Sequence, residues 1–218
     1  MTKEEVKSLL LQEKLVVLFR KVPQKHVAPL AKALVKGGVR LLEVTLDQQA
    51  EDPIQVYRDA MDAIREAVGD ALCLGAGTVL TAEQVRGVRE AGARFVLSPN
   101  TNDDVVRETL KLDMVSVPGA MTPTEICHAW DLGADIVKLF PADDLGYHYI
   151  WNLRGPLPHI PLLASGGVNP DTIPKFLEQG IRVVGTGASI VKRDLLDAED
   201  YEAISELARQ HVIAVRQA

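Results

Sequence analysis

Two ionisable side chains stand where a buried strand normally carries apolar residues. Glu43 lies inside the apolar run 41–46, and Lys138 lies inside the run 135–141. A charged side chain in such a strand is rarely tolerated without a partner. One interpretation is an ion pair between Lys138 and Glu43, or an outward tilt of these side chains to solvent. The other is that both groups do chemistry inside a cavity.

A buried lysine favours one kind of chemistry, nucleophilic attack on a carbonyl. Arg20 ends the apolar run 15–19 and would place a second cation near Lys138. Desolvation and a neighbouring cation both lower a lysine pKa and leave the amine free. Such an amine forms a Schiff base with a ketone, which is an electron sink for breaking a neighbouring carbon–carbon bond. A nearby carboxylate such as Glu43 would then transfer protons.

The elements that must position these side chains alternate along the chain. The predicted strands are 15–19, 39–46, 72–74, 95–98, 114–117, 136–140, 162–164 and 182–184. The predicted helices are 26–36, 53–67, 82–91, 102–110, 123–132, 146–153, 171–179 and 199–216. Short β-branched runs that alternate with amphipathic stretches predict right-handed βαβ units and a parallel sheet.

Glycines punctuate these units in two sets. One set closes helices just before strands, as helix C-terminal caps do, at Gly38, Gly92, Gly133 and Gly180. The other follows the intervening strands, at Gly77, Gly119 and Gly167. This paired rhythm favours an α/β fold with a single (β/α)8 TIM barrel, covering residues 1–218 as one domain. Residues 1–13 carry a capping-box pattern and predict a short extra N-terminal helix.

Small and polar residues follow most of the predicted strands. The loops after the seventh and eighth strands, 165–168 and 185–188, are rich in glycine. Glycines let backbone N–H groups face a bound anion, and these two loops form the usual phosphate cradle of barrels. Each motif alone is equally compatible with a tight turn. Together, at matching strand ends, they favour a ligand site.

Composition excludes several classes of protein. A formal net charge of −6 argues against nucleic-acid binding, which needs a basic face. No apolar run reaches the roughly 18 residues of a membrane span, and no signal peptide is recognisable. Cys73 and Cys127 fit no metal or redox spacing, and the five histidines fit no metal site. We therefore expect a cytoplasmic protein with no metal and no cofactor.

Several of these motifs occur in an order that resembles the 2-keto-3-deoxy-6-phosphogluconate (KDPG) / 4-hydroxy-2-oxoglutarate (KHG) aldolase family. The matching segments are 37–45, 75–79, 98–99, 118–119, 137–141 and 166–168. The resemblance implies a metal-independent class I aldolase on a (β/α)8 barrel, usually a homotrimer. Such an enzyme reversibly cleaves a 2-keto-3-deoxy (phospho)sugar acid or 4-hydroxy-2-oxoglutarate. The products would be pyruvate and an aldehyde, either glyceraldehyde 3-phosphate or glyoxylate.

The resemblance also implies a role for each matching residue. Lys138 matches the Schiff-base lysine, and Glu43 matches the general acid/base. The implied substrate-binding residues are Arg20 and Thr78 near the pyruvate carboxylate, Pro99 and Phe140 in the pocket wall, and Gly166 and Gly167 in a cradle for a distal phosphate, together with Ser165 and Gly187.

Three positions depart from the family pattern. Asp47 stands where many members carry arginine, Ser165 stands where threonine is frequent, and Ala188 stands where serine is usual, with Ser189 one place later. Losing the hydroxyl at 188 removes a possible phosphate hydrogen bond, worth about 1.5–3 kcal/mol if charged. If Asp47 and Ala188 matter, the advantage of a phosphorylated substrate should be small.

Two other functions remain open from the sequence. The first is a phosphosugar isomerase, epimerase or synthase on the same barrel, in which Lys138 acts only through its charge. That reaction needs an acid/base pair or metal ligands on other strands, which the sequence does not offer. The second is a ligand-binding barrel that has lost turnover.

Overall fold

The apolar runs of the sequence form parallel strands in the computed structural model, which describes all 218 residues. The strands are β1 (Leu15–Phe19), β2 (Leu41–Thr45), β3 (Cys73–Gly77), β4 (Phe95–Leu97), β5 (Val115–Val117), β6 (Gly119–Ala120), β7 (Val137–Leu139), β8 (Leu162–Ser165) and β9 (Val183–Thr186). Almost every strand residue is buried, which explains why the runs are continuously apolar rather than alternating.

Helices connect the strands and cover their outer faces. They are α1 (Lys3–Glu13), α2 (Gln24–Lys36), α3 (Pro53–Val68), α4 (Ala82–Glu90), α5 (Asp103–Lys111), α6 (Pro123–Asp131), α7 (Ala142–Arg154), α8 (Ile173–Glu178), α9 (Arg193–Asp197) and α10 (Tyr201–Gln217). A 3-10 turn follows α3 at Gly69–Ala71. None of these helices combines the length and apolar character needed to cross a membrane.

The strands close into a barrel. Their order in the sheet is β5-β4-β3-β2-β1-β9-β8-β7-β6, and the pairings are parallel. Only Pro118 separates β5 from β6, because proline has no N–H to donate to the ladder. The Pro118 carbonyl still accepts a 2.8 Å hydrogen bond from the Lys138 N–H, so residues 115–120 together form one strand of the barrel. The predicted (β/α)8 barrel is confirmed.

The structure departs from the predicted elements in a few places. The predicted helix 146–153 is only the second part of α7, which begins at Ala142 and bends at Gly146, where φ is 74°. The five-residue helix α9 was not predicted, since so short a segment shows no helical periodicity. The extra N-terminal helix is confirmed as α1, with Thr2 and Glu5 forming its capping box.

Side chains alternate along each strand between the barrel interior and the layer beneath the helices. The interior forms an apolar cluster of 13 residues: Val6, Leu10, Val16, Leu18, Leu41, Cys73, Phe95, Leu97, Val115, Val117, Ile136, Leu163 and Val183. Val6 and Leu10 belong to α1, so this helix closes the N-terminal end of the barrel. Lys3 and Lys7 hold it there through Asp135, at 3.0 and 3.6 Å.

The same alternation makes the interior polar toward the C-terminal ends of the strands. In β2, Leu41 is followed two residues later by Glu43 and four residues later by Thr45. In and beside β7, Ile136 is followed two residues later by Lys138. The interior of the barrel is therefore apolar in its N-terminal part and polar toward the C-terminal ends of the strands. The candidate catalytic groups lie next to the apolar cluster, at the base of this polar part.

Candidate active site

Lys138 projects into the barrel interior from β7 and is only 5% exposed. Its Nζ lies 4.5 Å from the centroid of the Phe140 ring, which comes from the same side of the chain two residues later. Burial lowers the pKa of the Lys138 ammonium, and the Arg20 guanidinium lowers it further. The charge of Glu43 opposes both effects without cancelling them. The site therefore makes the free amine more accessible than it is in an exposed lysine.

Glu43 projects inward from β2 and is 3% exposed. One of its carboxyl oxygens accepts a 2.6 Å hydrogen bond from the Thr45 hydroxyl. Burial raises the pKa of Glu43, while the Thr45 hydrogen bond, Lys138 and Arg20 act in the opposite direction. A carboxyl whose pKa moves upward can both accept and return a proton under mild conditions.

The two charged groups do not form the direct ion pair that was one interpretation of the sequence. Lys138 and Glu43 are both buried, so the outward tilt to solvent is also wrong. Each instead shifts the pKa of the other toward its charged form, and desolvation outweighs this mutual attraction. The result is a buried amine beside a buried carboxyl, both shifted toward neutrality.

Glycines of β3 make room for Glu43. A side chain at Gly77 would overlap the Glu43 carboxyl, and one at Gly75 would overlap the Phe95 ring. Here the glycines of the 75–78 motif are needed for packing. Thr78 follows with φ 55°, a left-handed conformation, and its carbonyl accepts a 2.7 Å hydrogen bond from Gln48. This strained turn carries Thr78 to the rim of the barrel.

The exposed side chain of Arg20 lines three cavities at the C-terminal end of the barrel, and two of them contain most of the predicted site residues. The smaller cavity, about 180 Å³, also includes Lys21, Thr45, Leu46, Asp47, Gln48, Gln49 and Thr78. The larger one, about 430 Å³, includes Leu18, Phe140, Ser165, Gly166, Gly167, Val168, Asn169, Gly185, Thr186, Gly187, Ala188 and Ser189. We call the larger one the distal cavity. Each cavity contacts the candidate pair through one neighbour: Thr45 of the smaller cavity donates a hydrogen bond to Glu43, and Phe140 of the distal cavity lies against Lys138.

Unpaired backbone donors line the distal cavity. The N–H groups of Gly166, Gly167, Gly187, Ala188 and Ser189 have no acceptor within the protein. Gly166 and Gly167 have φ of 111° and 64°, which only glycine adopts easily. Asp143 of α7 lies so close to this pair of glycines that a side chain at either position would overlap it. Backbone donors with one carboxylate beside them suit a group that both accepts and donates, such as a phosphate or a hydroxyl.

Most sequence-predicted site residues come together here. Arg20, Thr78, Phe140, Ser165, Gly166, Gly167 and Gly187 line one or both cavities, whereas Glu43 and Lys138 are buried and line neither. Pro99 does not line either cavity, and its carbonyl packs against Gly119. Sequence reasoning missed Thr45, although its position two residues after Glu43 puts it on the same face of β2. It also missed Asp143 beside the glycine pair, and the contact of Ser189 with His211.

No three His, Cys, Asp or Glu side chains in the chain come close enough to hold a metal ion. Another cavity, about 580 Å³, lies at the opposite end of the barrel around Arg65, Asp70 and Cys73, away from Lys138. The candidate reactive groups at the C-terminal end are the Lys138 amine, the Glu43 carboxyl and the Arg20 guanidinium.

Comparison with known proteins agrees with this geometry. The aldolase family described as KDPG and KHG aldolase matches residues 6–207. The chain belongs to this family. The family resemblance of the sequence motifs is therefore confirmed, and with it the chain's place among aldolases, which are lyases.

Relatives within the KDPG and KHG aldolases are close in length to this chain. The 2-dehydro-3-deoxy-phosphogluconate aldolase of Pseudoalteromonas atlantica is 37% identical over 190 residues, 86% of this chain and 85% of the relative. The KHG/KDPG aldolase of Escherichia coli K12 is 35% identical over the same shares. The structure of KDPG aldolase from Legionella pneumophila is 26% identical with a TM-score of 0.82, covering 93% of this chain and 96% of that one. It holds pyruvate captured at low pH as a covalent carbinolamine intermediate.

Proposed function

We propose that this chain is a class I aldolase that reversibly cleaves a 2-keto-3-deoxy (phospho)sugar acid or 4-hydroxy-2-oxoglutarate to pyruvate and an aldehyde. The aldehyde would be glyceraldehyde 3-phosphate or glyoxylate. The observation that carries the proposal is Lys138, a buried amine with a lowered pKa beside the Glu43 carboxyl. Family membership and the pyruvate carbinolamine of the Legionella relative support it.

In the first half of the reaction, Lys138 becomes covalently attached to the substrate. The free amine attacks the C2 ketone, and the ammonium proton that forms passes to the C2 oxygen to give a carbinolamine. The Glu43 carboxyl then protonates the departing hydroxyl, which leaves as water, and this gives the protonated imine and the Glu43 carboxylate. Burial of Lys138 promotes this step because it lowers the pKa of the ammonium and so increases the fraction of uncharged, nucleophilic amine.

In the second half, Glu43 moves protons. Its carboxylate takes the proton of the C4 hydroxyl while the C3–C4 bond breaks, and the electron pair of that bond moves into the imine to form an enamine. The aldehyde leaves. The enamine is protonated at C3, and water hydrolyses the imine to release pyruvate and the Lys138 amine. The raised pKa of Glu43 suits a group that accepts a proton in one step and returns it in another.

The two cavities divide the substrate between them. We assign the pyruvate carboxylate to Arg20 and Thr78, and the distal end of the aldehyde half to Ser165, Gly166, Gly167 and Gly187. Arg20 carries no ion pair within the chain, so its charge is available to an anionic substrate. Asp47 lines the smaller cavity and weakens the positive field there. We propose Phe140 as a wall residue of the distal cavity, whereas Pro99 lines neither cavity and its role stays a prediction from the family resemblance.

A trapping experiment tests this function. Sodium borohydride with pyruvate should reduce the imine and add the mass of the reduced pyruvate adduct to the peptide that contains Lys138. Lys138→Ala should give no adduct and lose turnover, and a chelator should change neither result in the unmodified chain. Undiminished activity in Lys138→Ala would refute the mechanism. Tight pyruvate binding without turnover on any aldol substrate would favour a binding barrel instead.

A small-molecule substrate follows from the aldolase family. We further propose that the chain forms a homotrimer, works in the cytoplasm and folds as one domain. The family resemblance supports the trimer, and Trp151 of α7, which is 64% exposed, gives it an apolar surface to cover. The free thiols of Cys73 and Cys127 support a reducing compartment.

A further inference from the structure

A chain of four hydrogen-bond contacts runs from α10 to the wall of the distal cavity. His211 Nδ1 lies 2.7 Å from the Leu207 carbonyl oxygen, and His211 Nε2 lies 2.8 Å from Ser189 Oγ. Ser189 Oγ lies 2.6 Å from Thr186 Oγ1, which in turn donates to the Val168 carbonyl oxygen at 2.9 Å. The proposed reaction uses none of these side-chain contacts.

This series of four hydrogen-bond contacts lacks one proton when His211 is neutral. Both of its ends are carbonyl oxygens, which only accept. A neutral imidazole and two hydroxyls supply three protons for the four contacts among these groups. An imidazolium supplies the fourth: His211 then donates to Leu207 and Ser189, Ser189 donates to Thr186, and Thr186 donates to Val168. Only the charged state of His211 satisfies every contact.

In the empty protein, the surroundings of His211 favour the neutral ring. The side chain is fully buried, and burial lowers the pKa of His211, with a further decrease from Lys192 and a partial increase from the Leu207 hydrogen bond. No carboxylate contacts the ring. The empty protein therefore holds a short contact between Ser189 and Thr186, or between Thr186 and Val168, that lacks a proton.

Other charges near α10 point to solvent or pair among themselves. The helices packed against α10 are α2, α8 and α9, and β1 carries no charged residue. Their charged side chains are exposed: Lys25, Lys32 and Lys36 on α2, Lys175 and Glu178 on α8, and Arg193, Asp194 and Asp197 on α9. On α10 itself, Glu206 pairs with Arg209 and Glu202 pairs with Lys36. His26 of α2 is buried but is bonded to Tyr201.

An anion in the distal cavity would reverse this preference. Ser189 and Thr186 line the cavity, and the free N–H groups of Gly187, Ala188 and Ser189 belong to the same loop. A negative charge held by that loop lies one serine side chain away from His211. Opposite charge at short range favours the protonated ring, most strongly in a buried site.

We propose that His211 takes up one proton when an anionic group, such as the distal phosphate of the substrate, binds in the distal cavity. The completed chain then fixes Ser189 and, through it, the 187–189 loop against the anion. His211 is thus a positioning residue that links anion binding to protonation. This inference rests on the proposed function, because the anion it invokes is the distal group of the aldolase substrate.

Nuclear magnetic resonance titration of the histidines, with and without sulfate, tests the proposal. Sulfate is the probe because it is a dianion that does not itself titrate near neutral pH. We expect saturating sulfate to raise the pKa of His211. By linkage, the Kd for sulfate should increase by up to tenfold per pH unit between the free and bound pKa values of His211.

Two variants and a matched control separate this role from a structural one. His211→Phe should remove the pH dependence of sulfate binding. Ser189→Ala keeps the histidine as a reporter, and in it sulfate should shift the pKa of His211 less, so the test survives if His211→Phe does not fold. His26→Phe alters a buried histidine that does not face the cavity and should leave the pH dependence intact.

An unchanged pKa of His211 in saturating sulfate would overturn the proposal, as would a pH slope that persists in a folded His211→Phe protein. Failure of sulfate to bind would overturn it as well. The proposed function fails separately, because the pyruvate adduct on Lys138 does not require the distal cavity. A His211→Phe protein that still forms the adduct shows that the aldolase chemistry is intact.

Discussion

The surroundings of Lys138 prepare its amine for the nucleophilic role proposed above. The amine stands in the barrel interior, above an aromatic ring and near the Arg20 guanidinium, so water does not stabilise its charged form. Glu43 experiences the same desolvation with the opposite sign, which raises the pKa of its carboxyl. One physical cause therefore prepares both groups for proton transfer.

Thr45 sets how far the pKa of Glu43 moves, because its hydroxyl donates to the carboxylate at 2.6 Å. In Thr45→Val the hydrogen bond is lost, so the pKa of Glu43 should rise further. The carboxylate form, which accepts the C4 hydroxyl proton, is present above that pKa and lost as pH falls through it. We expect the acidic limb of the kcat profile for aldol cleavage to move to higher pH.

The loss of a hydrogen bond to a charged group is worth about 1.5–3 kcal/mol, so kcat near the old limb should fall by about tenfold or more. Thr45→Ser retains the hydroxyl and should restore the acidic limb to its original position. The same limb in Thr45→Val as in the unmodified chain would show that Thr45 does not control Glu43.

At the residue scale, the sequence reveals those residues whose type does not suit the predicted element. Glu43 and Lys138 interrupt apolar strands and so identify themselves. The pairing of Ser189 with His211 joins positions 22 residues apart, and no local pattern announces it. Thr45 is intermediate, because the period of a strand puts it beside Glu43 but does not show that it donates.

At the scale of elements, β3 contributes to the site through a position that carries no side chain. Gly77 pairs with Thr45 of β2, and its missing side chain leaves the space that the Glu43 carboxyl fills. A neighbouring strand with a larger residue at this position would push the carboxyl away from Lys138. The shape of β3 is thus part of the catalytic geometry.

Gly77→Ala should reduce both stability and activity. Its methyl group would overlap the Glu43 carboxyl, and overpacking of this kind costs about 1–3 kcal/mol. Urea unfolding measures the free-energy change, and aldol cleavage measures the displacement of Glu43. The matched stability control is Gly185→Ala in β9, whose new Cβ would lie 3.4 Å from Leu163, an ordinary contact. Equal stability losses in the two variants would contradict the crowding mechanism.

The elements themselves were largely predictable, because alternating apolar runs and glycine caps are local signals. The division of the fifth barrel strand into β5 and β6 at Pro118 can be recognised only when the strands on both sides of it are known. Its N–H is missing, yet its carbonyl still bonds to β7. The bend of α7 at Gly146 and the short helix α9 leave no periodic pattern that a sequence can reveal.

At the scale of the whole molecule, the exposed face of α7 bears on assembly. Trp151 is 64% exposed, and its ring lies 6.0 Å from that of His148. Tryptophan is enriched at protein interfaces, so this side chain is a candidate contact for another subunit.

If this face forms the proposed homotrimer, Trp151→Glu should shift the mass measured by light scattering from trimer to monomer. The charged side chain would have to be buried without a partner. Trp130→Phe, a substitution of a half-buried tryptophan in α6, serves as the control and should leave the mass unchanged. A trimer that persists in a folded Trp151→Glu protein would place the interface on another face.

The helix α1, which closes the N-terminal end of the barrel, also determines how molecules reach the site. Because Val6 and Leu10 of α1 pack among the interior side chains, access is from the C-terminal end, at the rim that carries Arg20. In the proposed mechanism pyruvate would stay attached to Lys138 until its imine is hydrolysed, so the aldehyde would leave first, through the same opening. In the synthetic direction pyruvate would have to bind first, because an aldehyde that arrives earlier finds no enamine to react with. The covalent step thus sets the order of binding and release, and the closed N-terminal end makes both molecules share one route.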